Sequence, residues 1–62
     1  MLTYTEMTLF LRAGDDMARP TFQLGTFLRY VAGKITMQHA GAAAEPYKPT
    51  HDDLKATNWR RA

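Results

Sequence analysis

The stretch Tyr47-Lys48-Pro49-Thr50-His51-Asp52-Asp53-Leu54-Lys55-Ala56-Thr57-Asn58-Trp59 constrains the chain most. Pro49 disfavours helix at Lys48 and holds it extended. Thr50 is a good N-cap, and Asp53, three residues on, stands where a capping-box acid belongs. Asp52 and Asp53 put negative charge in the first turn, where the helix dipole favours it. The predicted helix is short, because Thr57 and Asn58 are weak helix formers and Asn is a common helix-ending residue. The only Trp of the chain follows, then Arg60 and Arg61. A large aromatic at this point reads as a core residue at the start of a last strand, since aromatics stabilise mainly by burial.

A second helix is predicted over Thr3 to Ala13. Thr3 and Glu6 form a Thr-x-x-Glu capping box. Met7, Phe10 and Leu11 share one helical face, which Tyr4 extends by a turn. Arg12 suits the last turn, and Gly14 suits the left-handed position beyond it. Asp15-Asp16 is a polar turn. Met17-Ala18-Arg19 is predicted as a short strand ended by Pro20, which cannot donate to a ladder. Thr21 to Gly25 is a loop or the approach to the next strand. Phe22 is either a core residue or a stacking surface, and core is the commoner fate.

Thr26 to Val31 reads as a strand with Phe27, Arg29 and Val31 on one face and Leu28 and Tyr30 on the other. Ala32-Gly33 is a hairpin turn, and Lys34 to Gln38 is the returning strand, with Ile35 and Met37 on one face. Arg29 within a strand is an anion ligand or, more commonly, a solvated charge. His39 to Glu45 lacks periodicity and reads as a flexible loop. The expected architecture is α+β: an N-terminal helix packed on a small antiparallel sheet, with a short C-terminal helical turn before the last strand.

Sixty-two residues make one domain. A chain of this size buries only about 60% of its unfolded surface, so small domains often gain stability by oligomerising. The chain has no Cys, which excludes disulfides and thiolate metal sites and fits a reducing compartment. No run approaches the roughly 18 apolar residues of a membrane span, and the first residues lack the basic and apolar regions of a secretory signal. A net charge of +2 permits an anionic ligand but falls short of a nucleic-acid footprint.

Catalytic chemistry is poorly supplied. Ser and Cys are both absent, and the acidic pairs Asp15-Asp16 and Asp52-Asp53 are neighbours, not opposed carboxylates. The consecutive residues His51-Asp52-Asp53 point in different directions on a helix, so no metal site is expected. The glycines are isolated, so no phosphate loop is expected either. No cofactor is expected.

Taken in order, several residues form a series: Thr3-Tyr4-x-Glu6, Leu11-x-x-Gly14-x-x-Met17-x-Arg19-Pro20-x-Phe22, Gly33-Lys34-Ile35, and Tyr47-x-Pro49-Thr50-x-x-Asp53-Leu54-x-Ala56-Thr57-Asn58-Trp59. The series resembles the small phage-encoded Thoeris anti-defence family of the second type, the nucleotide-signal sponges. It covers nearly the whole chain. Phe22 stands where that family usually has Trp, and Asn58 where it usually has Asp. The resemblance implies a homodimer or homotetramer acting in the host cytoplasm. It would hold a cyclic ADP-ribose-type or cyclic oligonucleotide signal in pockets between subunits, without degrading it. Arg19, Phe22, Tyr47 and Asn58 match the family pattern and are candidate ligand residues; Trp59 matches the pattern too but is read as core, and Thr21, Gln23 and Arg29 are candidates by proximity. Arg19 and Arg29 supply charge for phosphate, Phe22 and Tyr47 supply ring faces, and Thr21, Gln23 and Asn58 supply polar contacts. The alternative from a different class is a small protein–protein interaction module or phage assembly protein. A nucleic-acid binder using Arg60 and Arg61 is the weaker third reading.

Overall fold

A computed structural model describes residues 2–62. Helix α1 spans Tyr4–Arg12 and helix α2 spans His51–Lys55. Five strands form one antiparallel sheet: β1 (Met17–Ala18), β2 (Phe27–Val31), β3 (Lys34–Gln38), β4 (Glu45–Pro46) and β5 (Arg60–Arg61), in the order β4-β3-β2-β1-β5. The architecture is α+β, as the pattern of caps, turns and alternation predicts.

Both helices begin at the expected capping boxes. The Glu6 N–H donates to Thr3 Oγ1 and the Thr3 N–H to Glu6 Oε1, at 3.3 and 3.0 Å. The Asp53 N–H donates to Thr50 Oγ1 and the Thr50 N–H to Asp53 Oδ2, both at 3.1 Å. Helix α1 ends as a Schellman motif, with Gly14 at φ +103°, its N–H on the Leu11 carbonyl and the Asp15 N–H on the Phe10 carbonyl.

The β2–β3 hairpin has the expected two-residue turn, with Val31 paired to Lys34. Ala32 and Gly33 sit at φ +51° and +79°, as the mirror-image turn favoured in hairpins requires. One difference from the sequence reading lies in His39 to Glu45. The segment is a loop up to Ala44, but Glu45 joins Pro46 as an edge strand against Met37 and Thr36. Proline is tolerated there because an edge strand can leave its outward side unpaired.

The core is Met7 and Leu11 from α1, Met17 from β1, Leu28 from β2, and Trp59. Trp59 is 1% exposed and lies just before β5, as expected. Its backbone pairs with Leu2, N–H to carbonyl both ways at 3.1 and 3.3 Å, so the two ends of the chain meet over the core. Tyr4 and Phe22 meet its indole edge-on, with centroids 6.0 and 5.6 Å away. Such pairs add about 0.5–1.5 kcal/mol beyond their burial. No helix among the described residues is long and apolar enough to cross a membrane.

Candidate functional site

Asp53 is the hub where the distant candidates meet. It is 5% exposed, on the inner side of α2. Its Oδ1 accepts from Arg19 Nη1 at 2.8 Å, and its Oδ2 accepts from the Tyr47 hydroxyl at 2.7 Å as well as from the Thr50 N–H. Arg19 Nε donates to Asn58 Oδ1 at 3.3 Å. The Asp53 carbonyl receives the Trp59 indole N–H at 3.2 Å. The capping acid of α2 thus also fixes the arginine that follows β1, the tyrosine before the helix and the core tryptophan.

This setting explains the titration of the group. Burial pushes the Asp53 carboxyl upward, but hydrogen bonds from Tyr47, Arg19 and Thr50 outweigh it and hold the pKa below the ordinary carboxylate value. The Tyr47 hydroxyl is pushed well above its ordinary value, by burial first and then by its bond to the Asp53 anion. Tyr4 is raised by burial and by the same charge. The hub is an internally satisfied ion cluster: none of the buried side-chain polar atoms among the described residues lacks a partner.

Beside the hub lies an open groove of about 500 Å³. Its lining includes Arg19, Pro20, Phe22, Gln23, Leu24 and Gly25 from the segment after β1, together with Arg60 and Arg61 of β5. A second groove of about 510 Å³ lies across Pro20, Arg60 and Arg61, bounded by Leu2, Phe10, Asn58 and Trp59. Small-molecule sites typically occupy about 300–1,000 Å³.

The candidates divide among these places. Arg19, Phe22 and Gln23 line the first groove and Asn58 the second, while Tyr47 belongs to the hub. Arg19 is not a free phosphate ligand: its side chain is 14% exposed and Asp53 opposes its charge. Phe22 is half-buried with its ring fixed against Trp59, so the core reading holds for much of its surface. Thr21 is exposed and lines neither groove. Arg29 stands apart on β2, where Nε and Nη2 donate to the two oxygens of Asp16 at 3.0 and 2.9 Å. This is the solvated-charge alternative, with a bidentate partner added.

Two groove-lining residues stood in the sequence reading only as nucleic-acid candidates. Arg60 and Arg61 contribute to both grooves because β5 pairs with β1 and so flanks the loop that follows Ala18. Their adjacency was the available signal. Arg61 lies over the Phe10 ring at 5.0 Å and donates to Asp15 at 3.3 Å, whereas Arg60 has no ion pair among the described residues. No His, Cys, Asp or Glu cluster suited to a metal ion occurs among the described residues. In comparisons with known proteins, no family model matches the chain and no curated protein matches it.

Proposed function

We propose that this chain is a phage anti-defence sponge: it binds a cyclic ADP-ribose-type or cyclic oligonucleotide immune signal and holds it unaltered. The observation that carries the reading is the first groove, which combines an aromatic, a neutral amide and arginines in a volume suited to a nucleotide. The Phe22 ring edge and the neighbouring apolar wall take a base. Gln23 reads its polar rim, and Arg60 with Arg61 meets phosphate. Arg19 adds local positive potential while Asp53 fixes its position. The sequence resemblance supplies the biological setting of host cytoplasm and a phage inhibitor of a signalling defence.

Self-association belongs to the same proposal. The groove is open on one side, and Leu24 at its rim is 100% exposed. A second copy packed there would bury that leucine and narrow the groove. Binding follows from groove chemistry and involves no covalent step.

Titration calorimetry with cyclic ADP-ribose, its cyclisation isomers and a panel of cyclic dinucleotides and trinucleotides tests this function. The expected result is one class of ligand bound at nanomolar Kd, about −12 kcal/mol. Arg60→Ala and Gln23→Ala should weaken binding by about tenfold or more without lowering thermal stability, since both side chains are exposed. Absence of binding across the panel overturns the reading.

A further inference from the structure

The groove wall from Phe22 to Thr26 is anchored at two ends. At one end the Phe22 ring packs on Trp59. The middle is a tight turn closed by the Thr26 N–H on the Gln23 carbonyl at 3.0 Å. Gly25 takes φ +84°, and Leu24 and Gln23 project from the turn beside the groove. The other end rests on residues after β3. A Cβ on Gly25 would lie 2.8 Å from the Ala40 Cβ, so backbone meets side chain with no spare room. Thr26 is buried, and its hydroxyl meets His39 Nδ1 at 3.1 Å. His39 Nε2 in turn meets Glu45 Oε1 at 3.1 Å on β4.

These contacts are mutually compatible. With the proton on Nε2, the imidazole donates to Glu45 Oε1 and accepts a hydrogen bond from the Thr26 hydroxyl at Nδ1, so both ring nitrogens are paired. Among the described residues the Thr26 hydroxyl has no other side-chain partner. His39 is 38% exposed, so its loss removes the side chain that ties Thr26 to the residues after β3 and opens the hydroxyl to water, freeing the turn to move outward. That movement carries Gln23 and Leu24 with it.

We infer that His39 is a positioning residue for the groove: through Nδ1 it clasps Thr26 and sets where the Gln23–Gly25 turn stands. Its relevance to ligand rests on the binding function proposed above, whereas the clasp itself does not. Glu45 orients the ring from the far side, and the Gly25–Ala40 contact prevents the turn from collapsing inward when the clasp is intact.

The variants His39→Asn, His39→Gln and His39→Ala separate the two bonds. Asn places its amide near Nδ1 and keeps the Thr26 contact; Gln reaches toward Nε2 and keeps only Glu45. The first readout is amide hydrogen exchange in the ligand-free protein at Thr26, whose N–H closes the turn on the Gln23 carbonyl. The expected result is exchange near wild type for Asn and about tenfold faster for Gln and Ala, with Leu28 and Met37 unchanged in all three. The second readout is the Kd for cyclic ADP-ribose, or for the tightest nucleotide in the panel, expected to rise about tenfold for Gln and Ala and to be rescued by Asn. Equal exchange in all three variants, or Gln behaving as wild type, overturns the clasp. Faster exchange with undiminished affinity overturns the positioning role. If the wild-type protein binds no member of the panel, the sponge reading fails, and the exchange pattern alone decides the clasp.

Discussion

Replacing Asp53 tests the hub that joins α2 to the strand side of the molecule. Asp53→Ala removes the acceptor for Arg19, Tyr47 and the Thr50 N–H at once. The arginine is left with a largely buried, unopposed charge, a loss typically worth about 3–5 kcal/mol. The missing half of the capping box adds up to about 1 kcal/mol. A domain of this length has a total stability of roughly 3–9 kcal/mol, so this variant should lose a large share of it. Asp53→Asn is the informative change. Its carbonyl still accepts from Arg19, but its NH₂ now faces the Thr50 N–H, and the charge is gone. A destabilisation of about 1–3 kcal/mol is expected. Urea titrations followed by circular dichroism measure it, with Arg19→Met and the double variant closing the cycle. Arg19→Met and Asp53→Asn should be non-additive, because each removes the charge attraction between the same two residues. Asp53→Asn within about 0.5 kcal/mol of wild type, a range ordinary for surface substitutions, or strict additivity, would refute the reasoning.

The same residue fixes an acid response. The folded pKa of Asp53 is depressed, so its contribution is fully present above the unfolded value of about 3.9 and is lost as pH falls through the lower folded value. Asp16, lowered by its bonds to Arg29 against a smaller effect of burial, acts in the same direction. Stability should therefore fall below about pH 4, and Asp53→Asn should flatten that fall.

Three further outcomes follow from the packing. Trp59→Ala should cost about 3–5 kcal/mol, because the side chain is enclosed by the core and by the rings of Tyr4 and Phe22; an unchanged melting temperature would contradict its place in the core. Ala32→Gly should stabilise the fold by up to about 1 kcal/mol, since Ala32 holds a left-handed conformation in an otherwise open turn; thermal melting should show a rise of a few degrees. Light scattering at micromolar concentration should find a dimer or tetramer that Leu24→Glu weakens, and a wild-type monomer would remove the second copy from the proposal.

Much of the fold was legible because its signals are local. Thr3 with Glu6, Thr50 with Asp53, and Ala32-Gly33 each specify a cap or turn within a few residues, and the structure carries all three. Trp59 was legible as core because a large aromatic stabilises mainly by burial. The small strand β4 was not legible, since a two-residue edge containing Pro46 depends on the neighbouring β3 and has no pattern of its own. The site was legible only in part. Arg19 and Asp53 are 34 residues apart, and only the tertiary fold turns a capping acid into an ion-pair partner. The Arg29–Asp16 pair was hidden for the same reason, because Asp16 reaches Arg29 on β2 from just before β1. Arg60 and Arg61 are adjacent in sequence, but only the pairing of β5 with β1 brings them to the grooves.

The central claim is storage of an intact nucleotide, and one measurement addresses it most directly. The protein is incubated with cyclic ADP-ribose isomers and cyclic oligonucleotides, separated from free ligand, and denatured by heat. The released material is then analysed by mass spectrometry. The account predicts recovery of one unaltered cyclic nucleotide in a fixed ratio to the protein. A hydrolysed or linearised product, or the absence of any captured nucleotide, would contradict it.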